Sequence, residues 1–264
     1  MNILDFLRVE RGITGIQPEV LFYIKGFPIA NSTLMIFLVV VLVLLLGVWS
    51  RKYLKEIPGM FQSTIEIIYE TLYGHIKTLT GSDHHTKQIF SILGAIFIYI
   101  GISNYIGLIP GLTSITFDGV SIFRTPTADF NTTFGLAFGA VVVLHVVSII
   151  DWGFLGHLGK FFKFKEIIQG FKKGVSEGIM AIVDFLIGLL DIIGEIAKVV
   201  SLSLRLFGNM YAGEVLMIII MGAFAYILPS IWLAMGLLVG IIQAIVFGSL
   251  VTAYYMLSIK TAEE

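Results

Sequence analysis

The segment Ser201–Glu214, reading SLSLRLFGNMYAGE, sets Arg205, Asn209 and Glu214 inside more than sixty mostly apolar residues. An arginine near the centre of a bilayer costs roughly 2.5–3.5 kcal/mol on insertion scales. It therefore needs a partner or a water-filled cavity. It either marks a functional site or, more plainly, snorkels or pairs with a carboxylate to hold helices together. Glu177, Asp184, Asp191, Lys198 and Arg205 stand seven residues apart. A step of seven drifts only about 20° on an α-helix, so the five share one slowly turning stripe. Three acids come first, then two bases, with Asn209 one turn beyond. Such a stripe can be helix-helix glue, but a series of ionisable groups leading to a buried arginine fits a hydrated path better. Glu214, nine positions past Arg205, falls on the opposite face about 13.5 Å further along the axis. The two are not expected to pair; they belong to separate aqueous spaces. If the following helix folds back about residue 226, Gln243 lies level with residue 209. An amide there can bond near Arg205 without neutralising it.

The elements that carry these residues are membrane helices. The 264-residue chain is 57% hydrophobic and 13% charged, with mean hydropathy +0.94. Soluble domains carry about 25% charged residues. With 17 basic and 18 acidic residues, the charge balance gives no reason to expect nucleic acid as a partner. The chain has no cysteine, which excludes disulfides, thiolate metal sites and cysteine catalysis. Residues 1–28 mix charges with apolar residues and show no signal-peptide pattern, so the first apolar run is read as a retained span.

Taken in order, 1–28 is an extramembrane lead-in and 29–50 a first span, since about 20 helical residues cross the hydrocarbon. Arg51, Lys52 and Lys55 follow and place that end in the cytoplasm. Over 58–79, Phe61, Ile65, Ile68, Leu72, Ile76 and Leu79 recur at helical steps, opposite Gln62, Glu66, Glu70 and Lys77. This is an interfacial amphipathic helix, with Pro58 suited to its first turn. Residues 81–87 read as a loop. Its His84-His85 pair has no further ligand spacing, so no metal site is expected. Residues 88–150 hold two spans joined by an outside loop over 111–130. Asn104 in the first is expected to bond a neighbouring helix; His145 in the second is either a packed, hydrogen-bonded residue or a proton relay. Lys160, Lys163, Lys165, Lys172 and Lys173 mark a cytoplasmic loop, or a face on lipid headgroups. Residues 176–258 form two long helices meeting near Pro229. The first would reach about 70 Å, more than twice the ~30 Å hydrocarbon core, so it must tilt, bend or begin in the interface. By this topology eleven basic residues lie inside and four outside, with the N-terminus outside and the C-terminus cytoplasmic. The fold class is an all-α multi-pass membrane protein forming a single membrane domain over 1–264, with about five membrane helices and one interfacial helix.

The segment LRLFGNMYAGE resembles the signature of the subunit a family of rotary F-type ATP synthases. Three further pieces agree in order: Asn104-Tyr-Ile-Gly-Leu-Ile-Pro110, Thr127-Ala-Asp129-Phe-Asn131, and Gln243-Ala-Ile-Val-Phe247 with Leu250 and Tyr254. Together they cover residues 60–258. The arginine segment is highly specific; the others are weak alone. The resemblance implies a non-catalytic stator channel subunit whose last two helices lie strongly tilted against a ring of rotor c subunits. It implies peripheral stalk b subunits and membrane lipid as further partners, and translocated protons or sodium ions as cargo. It implies an energy-coupling membrane, most naturally a bacterial plasma membrane, and no cofactor. Arg205 then matches the stator arginine that attracts the ionised rotor carboxylate and keeps it charged. A nearby cation lowers a carboxylate's pKa, and arginine does not itself carry protons. Asn209, Glu214 and Gln243 match polar residues of the outside half-channel; Glu177, Asp184 and Asp191 are looser matches on the cytoplasmic side, where Lys198 also falls. Two positions depart from the family pattern. Gly236 stands where many relatives carry a partner for the Glu214 position, leaving water, Asp129 or His145 to take that role. Val199 stands where relatives often have proline, which leaves the helix straighter.

Two other classes compete. An intramembrane enzyme such as a serine protease would need a Ser/His pairing, and there is no G-x-S-x-G elbow; nor is there a GxxxxGK[ST] nucleotide loop. A secondary transporter would show repeated halves, and the halves here do not resemble each other.

Overall fold

A computed structural model describes residues 15–52, 54–109, 112, 115–117, 120–161, 172, 174–223 and 228–263. The residues before 15, Pro110, Asp118, Lys163, Lys165, Lys173 and the turn near 226 lie outside the described residues. The chain divides into two compact units: residues up to Thr133 with Leu204–Leu250, and Phe134–Ser203 with Val251 onward.

The first unit opens with a β-hairpin, β1 (Val20–Ile24) and β2 (Phe27–Ala30), antiparallel, with Ile24 opposite Phe27. Its two-residue turn is Lys25-Gly26, with φ of 49° and 85°. That sign at both positions is the tight hairpin turn whose twist matches the strands, and Gly26 adopts it without strain. A second small hairpin, β3 (Thr116–Phe117) with β4 (Val120–Ser121), lies in the expected outside loop. Among the described residues the chain is thus mainly helical with two hairpins, both outside the long apolar runs.

Helix α1 (Asn31–Lys52) follows β2 without a break. Its polar start is buried: Asn31 Nδ2 donates to Ser121 O at 3.2 Å and Ser32 Oγ to Asp129 Oδ2 at 2.8 Å. The rest is apolar and largely exposed, Phe37, Leu44, Leu45 and Val48 among it, the surface of a span that faces lipid. Helix α2 (Met60–Thr80) buries Leu72, Ile76 and Thr80 and keeps Gln62, Glu66 and Glu70 less covered or exposed. It ends where Gly81 turns left-handed at φ 66° and donates its N–H to Lys77 O at 2.9 Å.

Helix α3 (Asp83–Gly107) starts five residues earlier than the expected span at 88. The loop expected over 81–87 is therefore short, and His84 and His85 are helical. The cause is local. Ser82 is extended at the N-cap, Asp83 provides a negative charge in the first turn, and its carboxylate takes Lys77 at 3.0 Å, Lys87 at 2.8 Å and the Tyr73 hydroxyl at 2.9 Å. Phe90 meets Tyr69 and Tyr73 edge-on. These contacts bind the amphipathic helix to α3.

Helix α4 (Phe130–Phe161) extends eleven residues past the expected span, with a break at Gly153, φ 74° and ψ 160°. Helices α5 (Val175–Ala223) and α6 (Leu228–Glu263) are the expected long pair. Among the described residues, four helical segments are long and apolar enough to cross a membrane: Asn31–Lys52, Asp83–Gly107, Phe130–Ile150 and Pro229–Ile259. The fifth expected span, in α5, is helical as expected but carries Arg205 and Glu214 and is not among the four.

Candidate functional site

The first unit contains Arg205, Asn209 and Glu214 on α5 and Gln243 on α6. Two contacts fix the register of the helices there. Asn209 Nδ2 donates to Gln243 Oε1 at 2.6 Å, and Trp232 Nε1 donates to Gly213 O at 3.1 Å. Gln243 is buried, and its Nε2 has no hydrogen-bond partner among the described residues. An orphaned buried donor costs about 1–3 kcal/mol, so this one is poised for an acceptor. Arg205 is exposed and, among the described residues, forms no ion pair. It opens an exposed stripe of Arg205, Asn209, Ala212, Leu216 and Ile219 on α5, the i, i+4, i+7 pattern of one helix face.

Glu214 is half-buried and turned to different neighbours. Thr125 and Arg124 are the polar and charged neighbours that act on its carboxyl. Both come from the segment before α4. Arg124 is only 3% exposed and is held by four backbone carbonyls, those of Gly15, Ile16, Gln17 and Ala128, at 2.9–3.3 Å. Thr125 sits directly on Gly107, where any Cβ would collide with its side chain. Gly236 does not open a gap for water: a Cβ there would stand 2.8 Å from Leu108 Cδ2, so Leu108 fills the space. Of the other substitutes considered for a Glu214 partner, Asp129 accepts from Ser32, Thr132 and the Asn131 N–H. His145 lies against Glu195 in the second unit.

The segment match decides which family this architecture serves. Residues 33–256 match the family model described as ATP synthase A chain. The chain belongs to that family. It is 34% identical over 243 residues to "ATP synthase subunit a" of Desulforamulus reducens, covering 88% of this chain and 81% of the relative. It is 32% identical over 231 residues to "ATP synthase subunit a" of Geotalea uraniireducens, covering 88% of both. It is 31% identical over 247 residues to "ATP synthase subunit a, sodium ion specific" of Propionigenium modestum, covering 91% of this chain and 78% of the relative. All the candidate residues above fall inside the matched range of the ATP synthase A chain family.

The second unit carries the remaining candidates of this ATP synthase A chain. Glu177 is exposed, and Asp184 and Asp191 are half-buried. Lys198 donates to Glu195 Oε1 at 2.8 Å and stands over the Tyr254 ring at 5.2 Å. His145 Nε2 lies 3.7 Å from the other Glu195 oxygen. The sequence reading missed three residues: Glu195, Thr125 and Arg124. Glu195 had a local signal, an acid three residues before Lys198, the helical spacing of a side-chain pair. The roles of Thr125 and Arg124 had none, because their partners are distant in the chain. Asn104 does bond a neighbouring helix: its Nδ2 donates to Gly240 O at 3.3 Å and its Oδ1 accepts from Thr127 at 2.7 Å. Among the described residues no group of three or more His, Cys, Asp or Glu could hold a metal.

Proposed function

We propose that the chain is the stator channel subunit of an F-type ATP synthase, guiding ions to and from the carboxylates of a rotor c-subunit ring. Two offset aqueous half-channels serve the ring, and Arg205 separates them. It holds each passing carboxylate ionised and repels a proton crossing the gap. The observation that carries this reading is the exposed Arg205, without an ion pair among the described residues, beside the Asn209–Gln243 amide pair. A carboxylate in that place would neutralise the arginine; amides moderate its field and leave it charged. The free Gln243 Nε2 supplies a donor for a carboxylate that must bind and then leave. The open stripe on α5 supports a face turned to rotor helices. Glu214 serves the outside half-channel, and Glu177, Asp184, Asp191 and Lys198 the cytoplasmic side. The subunit has no catalytic site of its own, works beside peripheral stalk b subunits, and lies in a bacterial plasma membrane with its N-terminus outside.

Arg205→Ala is expected to abolish ATP synthesis and ATP-driven pumping while allowing passive ion leak through the assembled membrane sector. Arg205→Lys also couples poorly, because lysine can lose its proton and lacks the planar fork. Coupled synthesis near wild-type rates in Arg205→Ala would falsify the proposal. The relative from Propionigenium modestum is named for sodium; flux into vesicles with sodium varied at fixed pH decides which ion this chain carries.

A further inference from the structure

Glu195 and His145, which the roles above leave unused, cluster with Lys198 in the second unit. One carboxylate oxygen takes Lys198 Nζ at 2.8 Å, and the other faces His145 Nε2 at 3.7 Å. The side chains of Glu195, Lys198 and His145 are 15%, 21% and 30% exposed. Exposed pairs three residues apart on a helix contribute little, but this one is largely covered and is joined by an imidazole from another helix. Past the break at Gly153, α4 brings His157 to within 5.1 Å of the His145 ring, and Phe161 closes the ring from another side at 6.2 Å. His157 is buried, its Nδ1 3.0 Å from Ser148 Oγ. Among the described residues, the titratable or charged groups facing the pair are His157 from α4, Lys198 from α5 and, over Lys198, Tyr254 from α6.

We propose that His145 and Glu195 form a proton-exchange pair in the half-channel assigned above to Glu177, Asp184, Asp191 and Lys198. The proposal rests on the stator reading above and adds a named exchange site to it. Lys198 pairs with one oxygen of Glu195, and the other oxygen faces the imidazole. Histidine is the side chain that gains and loses a proton near neutral pH. An incoming proton forms an N–H bond at His145 Nε2, and the imidazolium is held by Glu195 Oε2. The same N–H bond breaks when the proton passes on to water. One proton enters and one leaves. At 3.7 Å the pair is too long for a direct hydrogen bond, so protonation must draw the two groups together. Glu195 is thus a positioning residue and His145 the exchanging group.

The test uses the complete complex in vesicles, following ATP-driven pumping and passive proton flux across a range of pH. His145→Gln leaves the Glu195–Lys198 pair intact. It should lower proton flux roughly tenfold or more, the low end of what a positioned proton-transfer group supplies, and remove the pH dependence near neutrality. Glu195→Gln should do the same, the double variant should be no worse than either single one, and Glu195→Asp should restore part of the flux. If Glu195→Gln fails to assemble because Lys198 is left unpaired, His145→Gln alone decides. An unchanged pH profile in His145→Gln overturns the proposal, as do additive losses or a wild-type complex that carries sodium and no protons. Arg205→Ala measured alongside separates the two claims. If it uncouples the complex while His145→Gln keeps the wild-type profile, only the pair falls; if it stays coupled, the stator reading falls.

Discussion

At the scale of single residues, Arg205 and Arg124 show how one side chain meets two fates in one unit. Arg205 is exposed and has no ion pair among the described residues, whereas Arg124 is buried and its two terminal nitrogens donate to backbone carbonyls. Carbonyls are neutral, so they bond a guanidinium without cancelling its charge. That charge acts on Glu214, and so does the adjacent Thr125 hydroxyl. Glu214→Gln is expected to slow ion flux with assembly intact; normal flux would reduce Glu214 to a structural contact. Thr125→Val removes the hydroxyl at nearly constant shape and should slow flux too, with Thr125→Ser close to wild type. Gly107→Ala tests the same geometry from the other side. Its new methyl collides with Thr125 and should produce the Thr125→Val behaviour, together with a loss of stability of about 1–3 kcal/mol, the usual cost of overpacking. Thermal unfolding of the purified complex and flux in vesicles give the two readings.

At the scale of elements, helix ends and breaks decide what the membrane helices can present. Gly153 has φ 74° and ψ 160°, a region open essentially to glycine alone. The break lets the chain return so that His157 meets Ser148. Gly153→Ala should therefore cost about 1–3 kcal/mol in backbone strain. It should lower the thermal midpoint more than Ser148→Ala, which removes one hydrogen bond worth about 1 kcal/mol net. Equal midpoints for the two variants would show that the break is not needed for the fold. The start of α1 has a similar role: Ser32 and Asn31 fasten the first span to Asp129 and Ser121. Helix α3 likewise begins at Asp83 because a lysine on each side and Tyr73 satisfy that carboxylate.

At the scale of the whole molecule, the uneven distribution of lysine and arginine sets the expected orientation. By the topology expected from the sequence, eleven basic residues belong to the side of the segment 160–173 and four to the other, and short positive loops remain cytoplasmic. A cysteine placed at Lys163 in this cysteine-free chain is expected to react with an impermeant reagent only from the cytoplasmic side. Labelling from outside would reverse the topology and exchange the two proposed half-channels.

The family and the helical, multi-pass architecture were legible in the sequence because both depend on local information. Long apolar runs must be helices in lipid, where every backbone polar group needs an internal partner, and the segment around Arg205 is distinctive as a string. The boundaries were less legible. Helix α3 began early because Lys77, a residue of the preceding helix, steadies Asp83, and α4 continued because one glycine can adopt a conformation closed to other residues. The side-chain constellations belonged to the tertiary structure. Nothing local in Gly236 says that Leu108 fills the space beside it, and nothing local in Thr125 says that Gly107 admits it next to Glu214. Glu195 had its neighbour Lys198 in the sequence, but His145 is fifty positions away. Only packing brings an imidazole to the carboxylate's second oxygen, because contacts between helices are chosen by the shapes of both surfaces and not by the periodicity of either one.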